Sequence, residues 1–191
     1  MPITVRLPDD STRELADGAT GADLAGGIGA RLLEAALAVK VNGQMRDLNA
    51  PLPDGAQVAI MTSKDPDSLD IIRHSTAHML AQAVRRLFPE AKVGIGPTIE
   101  DGFYYDFLVE KFFTPEDLTA IEIEMRSLAD SNVLFVREEL SREEAILRFE
   151  QLGEPLKVEL ATEIPAGEVI TGYRQGEFYD LCRGPHVPST S

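Results

Sequence analysis

The run Ser63-Lys64-Asp65-Pro66-Asp67 is polar throughout except for its proline, and it separates a region of short alternating segments from one with a helical period. Proline has no amide hydrogen and its ring fixes the backbone, so this run ends regular structure on either side. The chain therefore reads as two domains, 1–62 and 63–191. A length of 191 residues lets each bury a modest core of its own.

In the first domain, 3–7 alternates apolar and polar residues, and Pro8-Asp9-Asp10-Ser11 is a turn cluster before a second strand. Thr20 is placed to cap a helix running on toward Arg31-Leu32-Leu33. A strand over 37–41 leads into Asn42-Gly43, a strong hairpin signal, and 57–61 closes the sheet. This order is that of a small β-grasp (ubiquitin-like) domain.

In the second domain a long helix is expected over 68–88, with Leu69, Ile72, Leu80, Ala83 and Leu87 as its core stripe. His74 and His78 then fall on the opposite side. Residues 93–107, rich in Gly and Tyr, read as strands with a turn at Glu100-Asp101-Gly102. Thr114-Pro115-Glu116-Asp117 starts a second helix with a cap, a proline at the first helical position and early acids. Ser141-Arg142-Glu143-Glu144 is a capping box for a third, which Gly153 ends. Segments 155–161 and 168–182 read as strands. The fold class is α+β, the second domain having a sheet packed by helices.

Composition limits the function. No apolar run approaches the roughly 18 residues that a membrane span needs, and the N-terminus lacks the pattern of a secretory signal. A cytoplasmic location with no membrane partner is the expectation. The net charge of −14 lies mainly in the second domain and argues against a broad electrostatic grip on nucleic acid. A site for nucleic acid has to be local, or a larger protein has to supply the basic surface. Ile95-Gly96-Pro97 is not a phosphate loop, and the glycines at 26, 27 and 29 lack the strand-then-helix setting of a dinucleotide site.

All three histidines and the only cysteine fall in two short motifs about a hundred residues apart, His74-Ser75-Thr76-Ala77-His78 and Cys182-Arg183-Gly184-Pro185-His186. The first places two imidazoles one helical turn apart, a spacing that also arises on solvated faces. The second joins a thiol and an imidazole through a Gly-Pro turn, although a lone cysteine is more often a small buried hydrophobe. Together they point to one shared site. Three chemistries stay open there: a histidine acting as base on a water, a thiolate nucleophile activated by histidine, and a tetrahedral zinc held by His74, His78, Cys182 and His186.

These two motifs, with Ile95-Gly96-Pro97 and Gly102-Phe103-Tyr104-Tyr105-Asp106 between them, resemble the N-terminal region of threonyl-tRNA synthetase. Residues 1–62 resemble that family's TGS domain, and 63–191 its editing domain. The resemblance implies hydrolysis of mischarged seryl-tRNA(Thr) at its 3′ end by direct attack of water, in a parent that is a threonine-tRNA ligase and a homodimer. It implies that His74 or His186 is the base, that His78 organises the pocket and that Asp180 orients a histidine or the water. Lys157 and Tyr105, with Gly96 and Pro97, line the substrate site, and Cys182 belongs to the catalytic group. No cofactor is required, zinc being the alternative. The resemblance further implies an editing domain that continues somewhat past residue 191, and no threonine activation by these residues alone. A reading of another class is a non-catalytic module that binds tRNA or a partner and is knotted by structural zinc.

Overall fold

A computed structural model describes residues 1–191, which divide into two compact units: Met1–Ile72 with Pro185–Pro188, and Arg73–Gly184 with Ser189–Ser191. In the first, β1 (Ile3–Arg6) and β2 (Thr12–Leu15) form an antiparallel hairpin in which Ile3 faces Leu15. Helix α1 (Gly21–Ile28) starts from a full capping box between Thr20 and Asp23. The helix expected to run unbroken toward Leu33 stops instead at Gly29, and α2 (Ala30–Ala35) restarts it. Glycines at 26, 27 and 29 give this stretch little helical propensity.

Strand β3 (Ala36–Val41) is central, with β4 (Gln44–Asp47) on one side and β5 (Val58–Thr62) on the other. Asn42 and Gly43 both have positive φ, 48° and 84°, the geometry that a two-residue hairpin requires. A parallel bridge from Arg6 to Gln57 ties β1 to the β5 side of this sheet. Val5, Leu24, Val39, Val41 and Val58 fill the space between sheet and α1. At Gly21 a Cβ would lie 2.8 Å from the Leu48 carbonyl and 2.9 Å from the Val39 Cβ, so glycine is what lets the helix start so close to the sheet.

The second unit takes α3 (Ser68–Leu87) from Arg73 onward. Four two-residue strands follow: β6 (Lys92–Val93) pairs with β9 (Phe107–Leu108), and between them β7 (Thr98–Ile99) pairs with β8 (Gly102–Phe103) across the expected turn. Helix α4 (Pro115–Asp130) has the predicted capping box at Thr114 with Pro115 at its start. A three-stranded antiparallel sheet is ordered β10 (Phe135–Leu140), β11 (Ile170–Gln175), β12 (Phe178–Leu181). Helix α5 (Arg142–Gln151), capped by Ser141 and followed by Gly153 at φ 68°, and α6 (Pro155–Glu163) lie between β10 and β11.

Three expectations are corrected. Residues 155–161 are not a strand but most of α6: Pro155 suits a first helical turn, and Ala161 packs against Ala145 of α5. Residues 168–182 are not one strand but the β11–β12 hairpin, folded at Gly176 with φ 60°. The assigned stripe of α3 is the third. Leu69 and Leu87 are 49% and 39% exposed, and although Ala83 of that stripe is buried with Leu80 packed beside it, so are Ile71, Ser75, Ala77, His78, Ala81, Gln82 and Val84 outside it. The helix is enclosed on more than one side, so its histidine face is a packed face too. No helix is long and apolar enough to cross a membrane.

Candidate functional site

Two parallel alternations bring the polar residues of the second unit together. On α3, His74 and His78 share a face at four-residue spacing, and their rings meet edge to face with centroids 5.2 Å apart. On β12, Phe178 and Asp180 point to the side opposite Tyr179, and the pairing continues one residue past the strand: the Cys182 amide donates to the Thr171 carbonyl at 3.1 Å. The Thr171 hydroxyl returns a bond to the Cys182 carbonyl. His74 Nε2 lies 3.0 Å from Cys182 Sγ, and His78 Nε2 lies 3.6 Å from Asp180 Oδ2. The candidate donor atoms of His74, His78 and Cys182 all lie within 4.8 Å of one another.

Asp180 is the hub. Its Oδ1 receives Lys157 Nζ at 2.5 Å and the Leu181 amide at 2.8 Å, and its Oδ2 accepts the Tyr105 hydroxyl. Lys157 Nζ also reaches the Tyr105 oxygen at 3.4 Å. A buried carboxylate needs this many partners, because an unpaired charge in a dry interior is costly. Lys157 is brought there by α6, the helix that the sequence reading took for a strand. The first turn of α6 is anchored by Glu154, whose carboxylate accepts the Val93 amide at 2.9 Å and faces Arg85 Nε at 3.3 Å. Sequence reasoning passed over Glu154 and Arg85, since surface helices carry many such charges; the burial of Glu154 is visible only in the fold.

Tyr105 arrives on the β8–β9 connection, and in the preceding β7–β8 turn the Glu100 carbonyl accepts from Arg73 at 2.8 Å. Gly96 lies flat on its ring: a Cβ there would sit 2.1 Å from Tyr105 Cδ2, so no other residue fits without moving the ring. The Pro97 carbonyl accepts the Tyr104 amide at 3.4 Å. Gly96 and Pro97 thus border the group through Tyr105.

Burial sets the charge states. His78 is held neutral, with its pKa well below the imidazole value of 6.5, chiefly by desolvation and further by His74 and Lys157. Its contact with Asp180 is therefore one between a neutral imidazole and a carboxylate. Desolvation first, then the Asp180 charge, pushes the Tyr105 hydroxyl well above its ordinary 10.0, so Tyr105 acts as a donor. Cys182 is partly exposed and carries no disulfide, and the Gly184 amide donates to its sulfur at 3.1 Å. Gly184 has φ 67°, and a Cβ there would collide with the Tyr173 hydroxyl at 1.9 Å. His186, buried, belongs with the first unit, where its amide donates to Asp47 Oδ1 at 2.9 Å.

Residues 3–62 match the TGS domain, and residues 170–191 match the second additional domain of threonyl and alanyl tRNA synthetases. The chain is 55% identical over 186 residues to the threonine–tRNA ligase of Acidithiobacillus ferrooxidans, covering 97% of this chain and 29% of that protein. It is 56% identical over 189 residues to that of Citrifermentans bemidjiense, covering 99% and 30%. For Anoxybacillus flavithermus the figures are 50% over 188 residues, 98% and 29%. The chain thus spans about 30% of the length of these relatives. By domain content and by identity over nearly its whole length, the chain is similar to a portion of these threonine–tRNA ligases, with a match to the TGS domain and to a segment of the second additional domain.

Proposed function

We propose that the second unit hydrolyses the ester of seryl-tRNA(Thr), binding the 3′ end of the mischarged tRNA and directing water onto the aminoacyl carbonyl. The observation that carries this reading is the convergence of His74, His78, Cys182, Lys157 and Tyr105 around Asp180. An aminoacyl ester is already reactive, so the step needs a positioned water, a base and a donor for the developing oxyanion. His78, buried and neutral, and Asp180, satisfied by Lys157 and Tyr105, are better placed to shape the pocket than to accept a proton from bulk water.

The base is His74 or His186. In sequence His186 follows Cys182 by four residues through the Gly184 turn, and His74 opens the other motif. Lys157 supplies a donor toward the substrate's polar groups, while Tyr105, its one proton given to Asp180, lines the pocket. The test is single-turnover hydrolysis of seryl-tRNA(Thr) by the 191-residue chain. A rate indistinguishable from the uncatalysed one would sink the proposal.

One observation favours a second reading. The donors of His74, His78 and Cys182 are near enough to hold zinc, whose tetrahedral bonds set donor separations at roughly 3.4–3.6 Å. His186 would be the fourth ligand, and bound zinc would supply Lewis acidity or a structural knot. If zinc is structural, dialysis against a chelator lowers the melting temperature and added zinc restores it.

A further inference from the structure

Gln82 lies on α3 four residues beyond His78, as His78 lies four beyond His74, and it is 1% exposed. Its Nε2 donates to the Gln175 carbonyl at 3.1 Å and to Glu177 Oε1 at 3.1 Å, and its Oε1 accepts Gln175 Nε2 at 2.6 Å. Gln175, the last residue of β11, is wholly buried. These contacts clamp the helix to the turn that joins β11 and β12. Gly176, with its φ of 60°, makes the tight turn that carries Gln175 and Glu177 to the helix.

The spacing of this clamp matches that of the site. Four residues of α-helix rise about 6 Å, and two residues of strand rise about 6.7 Å. Along α3 the series His74, His78, Gln82 therefore runs in step with Cys182, Asp180, Phe178 along the hairpin in the opposite direction. The first two pairs meet at 3.0 and 3.6 Å, and Phe178 meets the His78 ring edge to face at 6.2 Å. Ala77, Ala81 and Phe178 on this face have no polar side-chain atom, so they make no directional contact that fixes a register. A buried pair of amides does not slide, since a shift leaves donors and acceptors unpaired in a dry interior.

We propose that Gln82 and Gln175 are positioning residues: their reciprocal amide bonds set the register of α3 against the β11–β12 hairpin, and so set the His74–Cys182 and His78–Asp180 contacts. The kinetic part of the test rests on the deacylase reading; the register part does not. Gln82→Met with Gln175→Met nearly keeps side-chain volume and removes the hydrogen bond between the two side chains together with those from Gln82 to the Gln175 carbonyl and Glu177. In the 191-residue chain the variant is expected to fold with a somewhat lower melting temperature, because the Gln175 carbonyl loses a donor.

The nuclear Overhauser contact between the His78 and Phe178 rings is expected to weaken or vanish. The single-turnover rate on seryl-tRNA(Thr) is expected to fall about 10- to 100-fold, with half-saturation moving less than about threefold. A His78–Phe178 contact of wild-type intensity overturns the proposal, whatever the rate does. If the double variant does not fold, the same contact measured in Gln82→Met alone decides. If the wild-type chain proves inactive on the ester, the deacylase reading fails, and the ring contact still tests the register.

Discussion

Lys157 Nζ sits 2.5 Å from Asp180 Oδ1, with both side chains only 3% exposed. A pair so thoroughly removed from water is stable only while both members are present, because either one alone is a buried charge without a counterion. Asp180→Asn is expected to cost about 3–5 kcal/mol in urea or thermal unfolding. Adding Lys157→Met to it should recover part of that loss. A double variant as unstable as the sum of the two single ones would show that the pair is not coupled.

The neutral, buried His78 makes stability depend on pH in a definite direction. Its folded-state pKa lies below the 6.5 of the unfolded chain, so acid loads a proton onto the unfolded state first. The contribution is complete above 6.5 and is lost as pH falls from there toward the folded value, by at most about 1.4 kcal/mol per pH unit. The groups that face it are His74, Lys157 and Asp180. Unfolding measured at pH 7 and pH 5.5 should show the decline, and His78→Gln should flatten it.

Gly96 supports the site through shape alone. Gly96→Ala places a methyl inside the Tyr105 ring's space, so the ring must turn and its bond to Asp180 must lengthen or break. Overpacking of this kind costs about 1–3 kcal/mol. The expected result is a lower melting temperature together with slower deacylation. An alanine variant with wild-type values of both would show that the Tyr105 ring has freedom to move.

The caps at Thr20, Thr114 and Ser141 and the hairpin at Asn42-Gly43 were legible because each is a local contract between a few neighbouring residues. The coincidence of His74, His78 and Cys182 was legible from rarity, there being only three histidines and one cysteine to place. Helix α6 was not, since Pro155–Glu163 mixes β-branched Val158 and Thr162 with helix-favouring types over its nine positions and the choice is made by packing on α5. The buried face of α3 was hidden for a related reason. Serine, alanine, histidine and glutamine look like a solvent face until the hairpin supplies partners for them.

His74→Ala is expected to reduce deacylation by about 10²–10⁴-fold if His74 is the base. Since His74 is only half-buried, the melting temperature should change little. His186 is 1% exposed, so alanine there would also open a cavity, and asparagine is the better probe of its role. Single-turnover rates and circular dichroism on both variants separate chemistry from folding. A His74→Ala chain with wild-type turnover moves the assignment of base to His186.

Selectivity distinguishes editing from simple esterase activity. Serine and threonine share the side-chain hydroxyl, so a bond to that group binds both and selects neither. Threonine adds one methyl at Cβ, and a pocket that accepts threonine has room for serine at a loss of roughly 1–3 kcal/mol. The reverse case is the useful one. A pocket fitted to serine must move to admit the methyl, or let it displace the attacking water. An overpacking penalty of about 1–3 kcal/mol, expressed in the transition state, corresponds to roughly 10- to 100-fold faster hydrolysis of the seryl ester. Tyr105, with Gly96 packed flat against its ring, gives this part of the site little freedom to relax. The measurement is hydrolysis of seryl-tRNA(Thr) and threonyl-tRNA(Thr) at equal protein concentration and neutral pH, with a parallel sample in EDTA. Equal rates on the two esters would remove the editing assignment. A rate lost in EDTA and restored by zinc would replace the metal-free mechanism with one in which zinc takes part.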